Sequence, residues 1–448
     1  MDLESFVHSE CERLHIPGAA VGVRHRGEDH VAVHGITNAE HPLPVDPTTL
    51  FQIASITKTF TATAVMTFVQ SGRIALDDPV VRHLPELRLG PGVDPESVTV
   101  EMLLTHRAGW DGDALFAVPG DPVLSSVPGR IRGFRRIFAP GENWSYNNAA
   151  FSLAGCLVEA LAGEPYAAAL RRLVLDPVGI SHAFTTADEV VTHRVAVPHA
   201  VLGDDAIVLR GFGWQPGWEL SDLDVPAGGI STCVPALLRW GAVALGEIDG
   251  PLDDTHRRMM QERRHPAGGN TDAMGIGWLH ADLGGIATFG HDGMTVGYLS
   301  GLVIVPSADL VIVVLTNALH GSALCTSVRD QVLQSLAGAG AILPEVPADP
   351  PAGVAAELVG SYDDPFYVVH LQPGDGPERL VVAPEPRSPE PGRWTPPALG
   401  EPIPLAWIGP DRWMTLEPEG GGAFLDVGRG AGGEVTWIRR GARICHRS

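Results

Sequence analysis

Ser55 and Lys58 stand three residues apart in the stretch Phe51-Gln-Ile-Ala-Ser55-Ile-Thr-Lys58-Thr-Phe60, and Lys58 is the only lysine in the chain. Every other strongly basic side chain is arginine. Arginine can replace lysine wherever a permanent charge or a long stem suffices. It cannot where the amine must lose a proton, because a guanidinium stays charged in proteins. A serine hydroxyl needs a base before it attacks a carbonyl, and a desolvated amine can be that base. The run beyond Ser55 carries Phe60, Ala64, Val65 and Phe68 at helical spacing, which predicts a helix opened by the serine and stopped at Gly72. Positions three apart share a helix face, so Ser55 and Lys58 are expected to point the same way. They do so at a helix N-terminus, where the N–H groups and the dipole favour developing negative charge. S-x-x-K is short and recurs by chance. Its weight here comes from the lone lysine at a helix start.

The bulk composition bounds the setting. A chain of 448 residues suggests two or three domains, and 44% apolar content is ordinary for a protein with a real core. A formal charge of −22 argues against nucleic acid and anionic membrane surfaces as partners, since both need basic patches. Cys11, Cys156, Cys233, Cys325 and Cys445 form no C-x-x-C pair and no zinc-ligand spacing, which reads as free thiols in a reducing compartment. His25, His30 and His34 lack a carboxylate or cysteine to complete a metal set. The first residues hold no basic and apolar leader pattern, and no run of 18 apolar residues occurs. The expectation is a cytoplasmic protein with no membrane partner.

Several elements must position the pair. A helix is expected over 2–14, then a hairpin of 19–25 and 30–35 around Arg26-Gly27-Glu28. Further helices are expected over 98–104, 149–161 and 322–339, and one capped by Pro226-Ala-Gly-Gly-Ile-Ser231 running to about 245. Residues 110–132 read as loop. Residues 181–225 read as a covering loop beside a site, with Trp214 and Trp218 as candidate lining residues. The clearest strands are 287–291, 298–305 and 310–316, the last two joined as an antiparallel hairpin. Helices flanking a late antiparallel sheet make an α+β plan. The domain division expected is 1–342, a Pro-rich linker over 343–354 and an all-β segment over 355–448. Six short β runs punctuated by Gly and Pro make that last segment a small sandwich or barrel, with no convincing helix.

Two more pieces join the pair: Tyr146-Asn147-Asn148, and His291-Asp292-Gly293 at a strand end. With Leu103-Leu-Thr-His-Arg-Ala-Gly109, Pro226-Ala-Gly-Gly229 and the hairpin ending at Thr316-Asn317, their order over residues 5–340 resembles the penicillin-binding-protein/serine β-lactamase superfamily, especially its class C and esterase branch. The resemblance implies a β-lactamase/transpeptidase-like fold, and the C-terminal segment is similar to the lipocalin-like barrel some members carry. It implies Ser55 as the nucleophile of an acyl-enzyme and Lys58 as proton acceptor or electrostatic partner. It implies Tyr146 as the relay acid/base, and Asn148 as the amide orienting Lys58 and a substrate carbonyl. The N–H groups of Ser55 and Met294 would form an oxyanion hole on an edge strand. His291 departs from the Lys-Thr-Gly of many relatives. A neutral histidine grips a carboxylate less firmly than a fixed cation, which counts against penicillin-like recognition. Gly293 is expected to let substrate approach the strand closely.

The function these residues point to is a serine acyl hydrolase or acyltransferase on an ester or a peptide, D-residue peptides included. The alternative is a penicillin-binding-protein-type thioesterase that releases and macrocyclises a peptide presented by a carrier protein. A third class, a non-catalytic sensor or scaffold, has little use for Lys58, Tyr146 and Asn148 together. No cofactor is implied, because the amine and phenol already handle protons.

Overall fold

A computed structural model of the chain describes residues 2–91, 93–112, 124–203, 205–210, 222–343, 350–363, 367–375, 379–386, 402–416 and 422–448. Its centre is an eight-stranded antiparallel sheet. Across it run Glu28–Gly35, Gly18–His25, Leu310–Thr316, Tyr298–Val305, Ile286–Thr295, Leu279–Leu283, Thr271–Met274 and His265–Gly268. The chain ends of the domain meet in this sheet, because Ala19 pairs with Thr316 and His25 with Leu310.

Strand alternation explains how the sheet is covered. Leu310, Ile312 and Val314 point to one face, where they join Val7 and Cys11 of helix Leu3–Arg13 and Leu324 and Val328 of helix Ser322–Val332. Val311, Val313 and Leu315 point to the other, against Leu237 and Leu238 of helix Val234–Leu245 and the large helical core beyond. A strand buried on both faces reads as a near-continuous apolar run, as Leu310–Leu315 does before Thr316 ends it. The helical core holds Thr57–Gln70 and Asn148–Ala162 side by side.

Local chemistry sets the helix ends that matter to the site. Asn147 caps Asn148–Ala162 by accepting from the Ala150 N–H at 2.8 Å, and Gly163 stops it in the left-handed region at φ 73°. The serine does not open an α-helix directly. Ser55 lies on a 3₁₀ turn, Ala54–Ile56, and the α-helix proper starts at Thr57. Since residues three apart nearly eclipse in such a turn, the Ser55–Lys58 face is preserved.

Other differences from the sequence reading have local causes. Residues 124–133 fold into short helical turns rather than loop. The helix expected behind the Pro226–Ser231 segment runs over Val234–Leu245, but that segment is not a simple cap: Val225–Gly228 is a helical turn and Ser231–Thr232 a strand between Phe51–Gln52 and Ala183–Phe184. The helix Asp254–Gln261 and three strands between 265 and 283 carried too few apolar residues to stand out.

The C-terminal segment is a closed barrel of eight antiparallel strands from Gly360–Asp363 to Arg443–Arg447. Its interior is filled by Leu358, Tyr362, Val369, Leu371, Val382, Trp413 and Ile438, the filled state expected at eight strands. Leu358 comes from a short helix, Val354–Leu358, which the sequence did not reveal. Strands Gly360–Asp363 and Arg443–Arg447 were also missed, and they are the pair that closes the barrel. Among the described residues no single helix is long and apolar enough to cross a membrane.

Candidate active site

The nucleophile candidate sits on a constrained turn. Ala54, just before Ser55, has φ 49°, a left-handed conformation that costs an alanine on the order of 1 kcal/mol. Strand Ile286–Thr295 holds this turn from one side. A Cβ on Gly293 would lie 2.2 Å from the Ile53 carbonyl oxygen and 2.3 Å from the Ser300 Oγ, which itself donates to Ile53 O at 2.9 Å. Gly293 is therefore small because the Ile53–Ala54 backbone presses on the strand, a different reason from substrate approach.

Lys58 is fully buried. Its Nζ donates to Ser55 Oγ at 3.0 Å and to the Ala227 carbonyl at 2.6 Å. The Pro226-Ala-Gly-Gly229 motif thereby acquires a task, which is to aim the amine. The same segment is anchored by Thr61 Oγ1, which donates to Pro226 O at 2.6 Å. Lys58 Nζ also stands 4.9 Å from the Tyr146 ring centroid and 5.5 Å from that of Phe151. Hydroxyl, amine and phenol thus meet in one cluster, with the amine in the middle.

Tyr146 is nearly buried, and Asn148, two residues on, starts the helix. His106 stacks on the Tyr146 ring at 4.3 Å, and His291 meets it edge-on at 6.0 Å. His291 is buried, and its Nδ1–H donates to the Asp292 carbonyl at 2.6 Å. Burial, reinforced by the charge of Lys58, pushes its pKa down to about 3, so the imidazole is neutral at ordinary pH. His106 is likewise held well below the usual histidine value, by burial first and then by Lys58 and His291.

His291 lies inside its strand rather than at the strand end that the sequence suggested, and Met294 is that strand's last residue but one. Ile286–Thr295 is the fifth strand of eight and runs through both. Its neighbour Leu279–Leu283 pairs only as far as Gly290, however, so residues 291–295 have a strand partner on one side alone. This local edge is what a main-chain donor needs to face a ligand. Met294 is 69% exposed. Trp214 and Trp218 lie outside the described residues.

The barrel reaches this site. The Tyr146 N–H donates to the Ala442 carbonyl at 2.8 Å, Ile444 N–H to Ser145 Oγ at 3.1 Å, and Arg439 Nη2 to the Trp144 carbonyl at 3.0 Å. The Arg443 guanidinium stands 5.1 Å from the Tyr146 ring centroid. The hairpin Val435–Arg440/Arg443–Arg447 lies against the Gly268–Asn270 turn, where a Cβ on Gly269 would strike the Gly441 carbonyl, and the neighbouring strand Phe424–Arg429 accepts the Gly269 N–H at Asp426 Oδ2, 2.6 Å. Sequence reasoning missed His106, Ala227 and Arg443 as site residues. His106 stood in a quoted motif without a role, Ala227 acts through its backbone, and Arg443 is one arginine among many. Among the described residues no three His, Cys, Asp or Glu side chains cluster to hold a metal ion.

A model of the beta-lactamase family matches residues 3–337. The chain belongs to the beta-lactamase family. Its fold and its serine-centred cluster place it among beta-lactamase-fold serine hydrolases. It is 29% identical over 364 residues to penicillin-binding protein 4 of Amycolatopsis lactamdurans, covering 78% of this chain and 93% of that one. Among solved structures it is similar to SurE with D-Leu, at TM-score 0.73 and 24% identity over 100% of this chain and 99% of that one. It is also similar to the D-amino acid amidase of Ochrobactrum anthropi, at TM-score 0.63 and 22% identity over 75% and 97%. The SurE likeness spans the barrel as well as the beta-lactamase-family domain; the amidase likeness covers less of the chain.

Proposed function

We propose that this protein is a serine acyl hydrolase or acyltransferase working through a Ser55 acyl-enzyme on a peptide or ester, with D-residue peptides as the favoured class. The observation that carries the reading is the buried Lys58 Nζ at 3.0 Å from Ser55 Oγ, base-to-nucleophile distance, with the phenol of Tyr146 beside it. In this scheme Lys58 must first give up its own proton, and the Ser55 Oγ–carbonyl bond then forms as the hydroxyl proton passes to the free amine. The tetrahedral oxyanion is met by the N–H groups of Ser55 and Met294. The bond to the leaving group then breaks, and the proton reaches that group through Tyr146, with Asn148 holding amine and carbonyl in place. Water or an amine next attacks the acyl carbonyl and releases Ser55. The names of the similar proteins, a D-amino acid amidase and SurE with D-Leu, support a D-residue preference.

Neutral His291 removes the fixed cation that a penicillin-like carboxylate would need from this strand. A second reading follows from the barrel. Its hairpin tip packs beside Tyr146, which favours excluding water and letting the amine of the same peptide attack. This is the macrocyclising thioesterase, its acyl group presented by a carrier.

Two experiments test these readings. Intact-mass detection of a Ser55 adduct after an ester, thioester and D-peptide amide panel is expected to succeed, and Ser55→Ala is expected to lose both adduct and turnover of a p-nitrophenyl ester. Equal turnover by the two forms would leave only a scaffold. A linear peptide thioester then separates the acceptors: cyclic product supports the second reading, and linear acid alone counts against it.

A further inference from the structure

The beta-lactamase-family domain contains a histidine that the acyl-enzyme scheme leaves unused. His106 is fully buried inside Leu103-Leu-Thr-His-Arg-Ala-Gly109 and has φ 56°, a left-handed conformation uncommon for non-glycine residues and best tolerated by Asn, Asp and His. Three consecutive N–H groups of the tyrosine segment need acceptors. Ser145 N–H donates to the His106 carbonyl at 3.1 Å, Tyr146 N–H to the Ala442 carbonyl at 2.8 Å, and Asn147 N–H to His106 Nδ1 at 3.0 Å. His106 therefore grips the residues on both sides of Tyr146, once with its main chain and once with its ring. The left-handed turn puts the two acceptors on the same side. The ring face then packs on the phenol at 4.3 Å with 30° between planes.

We infer that His106 is a positioning residue for Tyr146, a neutral Nε2–H imidazole whose Nδ1 lone pair and flat face fix the phenol's direction. The inference rests on the reading of Tyr146 as the proton relay. Only the tautomer with a bare Nδ1 can accept the Asn147 N–H, because a ring protonated on both nitrogens has no lone pair. The pair Nδ1 and ring face is a demand that neither a plain aromatic nor a plain amide meets in full.

Two variants divide the roles. His106→Phe keeps a flat face and loses the acceptor. His106→Asn loses the face but offers Oδ1 near the Nδ1 position and tolerates the left-handed backbone. For a misdirected relay, His106→Phe is expected to lower kcat for acylation about 100-fold with KM within about threefold of wild type. His106→Asn is expected to recover at least about tenfold of that loss. A folded His106→Phe protein with wild-type kcat, or an Asn variant no better than Phe, overturns the inference. If the Phe variant does not fold, wild-type protein decides. Long-range 1H–15N correlation is expected to show His106 protonated at Nε2 and bare at Nδ1, and an Nδ1–H tautomer overturns the inference. That spectrum is independent of Ser55 chemistry, so the inference and the acyl-enzyme reading can fail separately.

Discussion

Gly293→Ala perturbs the site without removing any polar group. The added Cβ would sit 2.2 Å from Ile53 O, 2.3 Å from Ser300 Oγ and 3.1 Å from the Ala54 Cβ. The Ser300 hydroxyl can rotate, but the Ile53 carbonyl is main chain on the turn that leads into Ser55. Restoring an ordinary contact of 3.4 Å from 2.2 Å requires strand and turn to part by about 1.2 Å. A displacement near 1 Å between a nucleophile and its partners costs about 100-fold in rate. The same overpacking costs about 1–3 kcal/mol of stability, small enough for the protein to stay folded. The expectation is a folded variant with a thermal midpoint a few degrees lower and an acylation rate about 100-fold lower, read from the burst phase of p-nitrophenyl ester hydrolysis. Acylation within threefold of wild type in a folded variant would falsify the claim that this strand aligns the Ser55 turn.

Other outcomes follow from the same geometry. Lys58→Arg keeps a cation beside Ser55 but cannot take its proton, so ester turnover is expected to fall about 10²–10⁴-fold, and near-normal turnover would limit Lys58 to an electrostatic role. Gly269→Ala, far from the serine, would place a Cβ 1.6 Å from the Gly441 carbonyl and push back the hairpin that bonds Tyr146; a lower kcat with intact far-UV circular dichroism is expected, and an unchanged kcat would show that the hairpin tip does not align the phenol. His291, with its pKa near 3, and His280, pushed by burial to about 4, are neutral in the fold but charge in the unfolded chain near pH 6.5. Because the unfolded state binds more protons below that pH, stability must fall as pH drops from 7 toward 4, by up to about 1.4 kcal/mol per pH unit for each group. Urea midpoints at pH 7 and 5 check this, and His291→Asn should flatten the slope.

The Ser55–Lys58 spacing, the helix beyond Asn148 and the strands around 298–316 were legible in the sequence because each is local. A turn or an alternating strand is written in neighbouring residues, and a lysine alone among arginines draws the eye to its amine. The barrel was legible as short β runs between Gly and Pro, although its closing strands, four and five residues long, were not.

What only the tertiary structure decided is how distant backbone meets the cluster. The carbonyls of Ala227 and Ala442 aim the amine and hold the tyrosine segment, and a carbonyl carries no residue signature to be read in advance. The reason for Gly293 changed for the same cause, since the atom that excludes its side chain belongs to Ile53, 240 positions earlier in the chain. Residues fix which chemistry is available through their side chains, whereas the packing of one main chain against another fixes where that chemistry points.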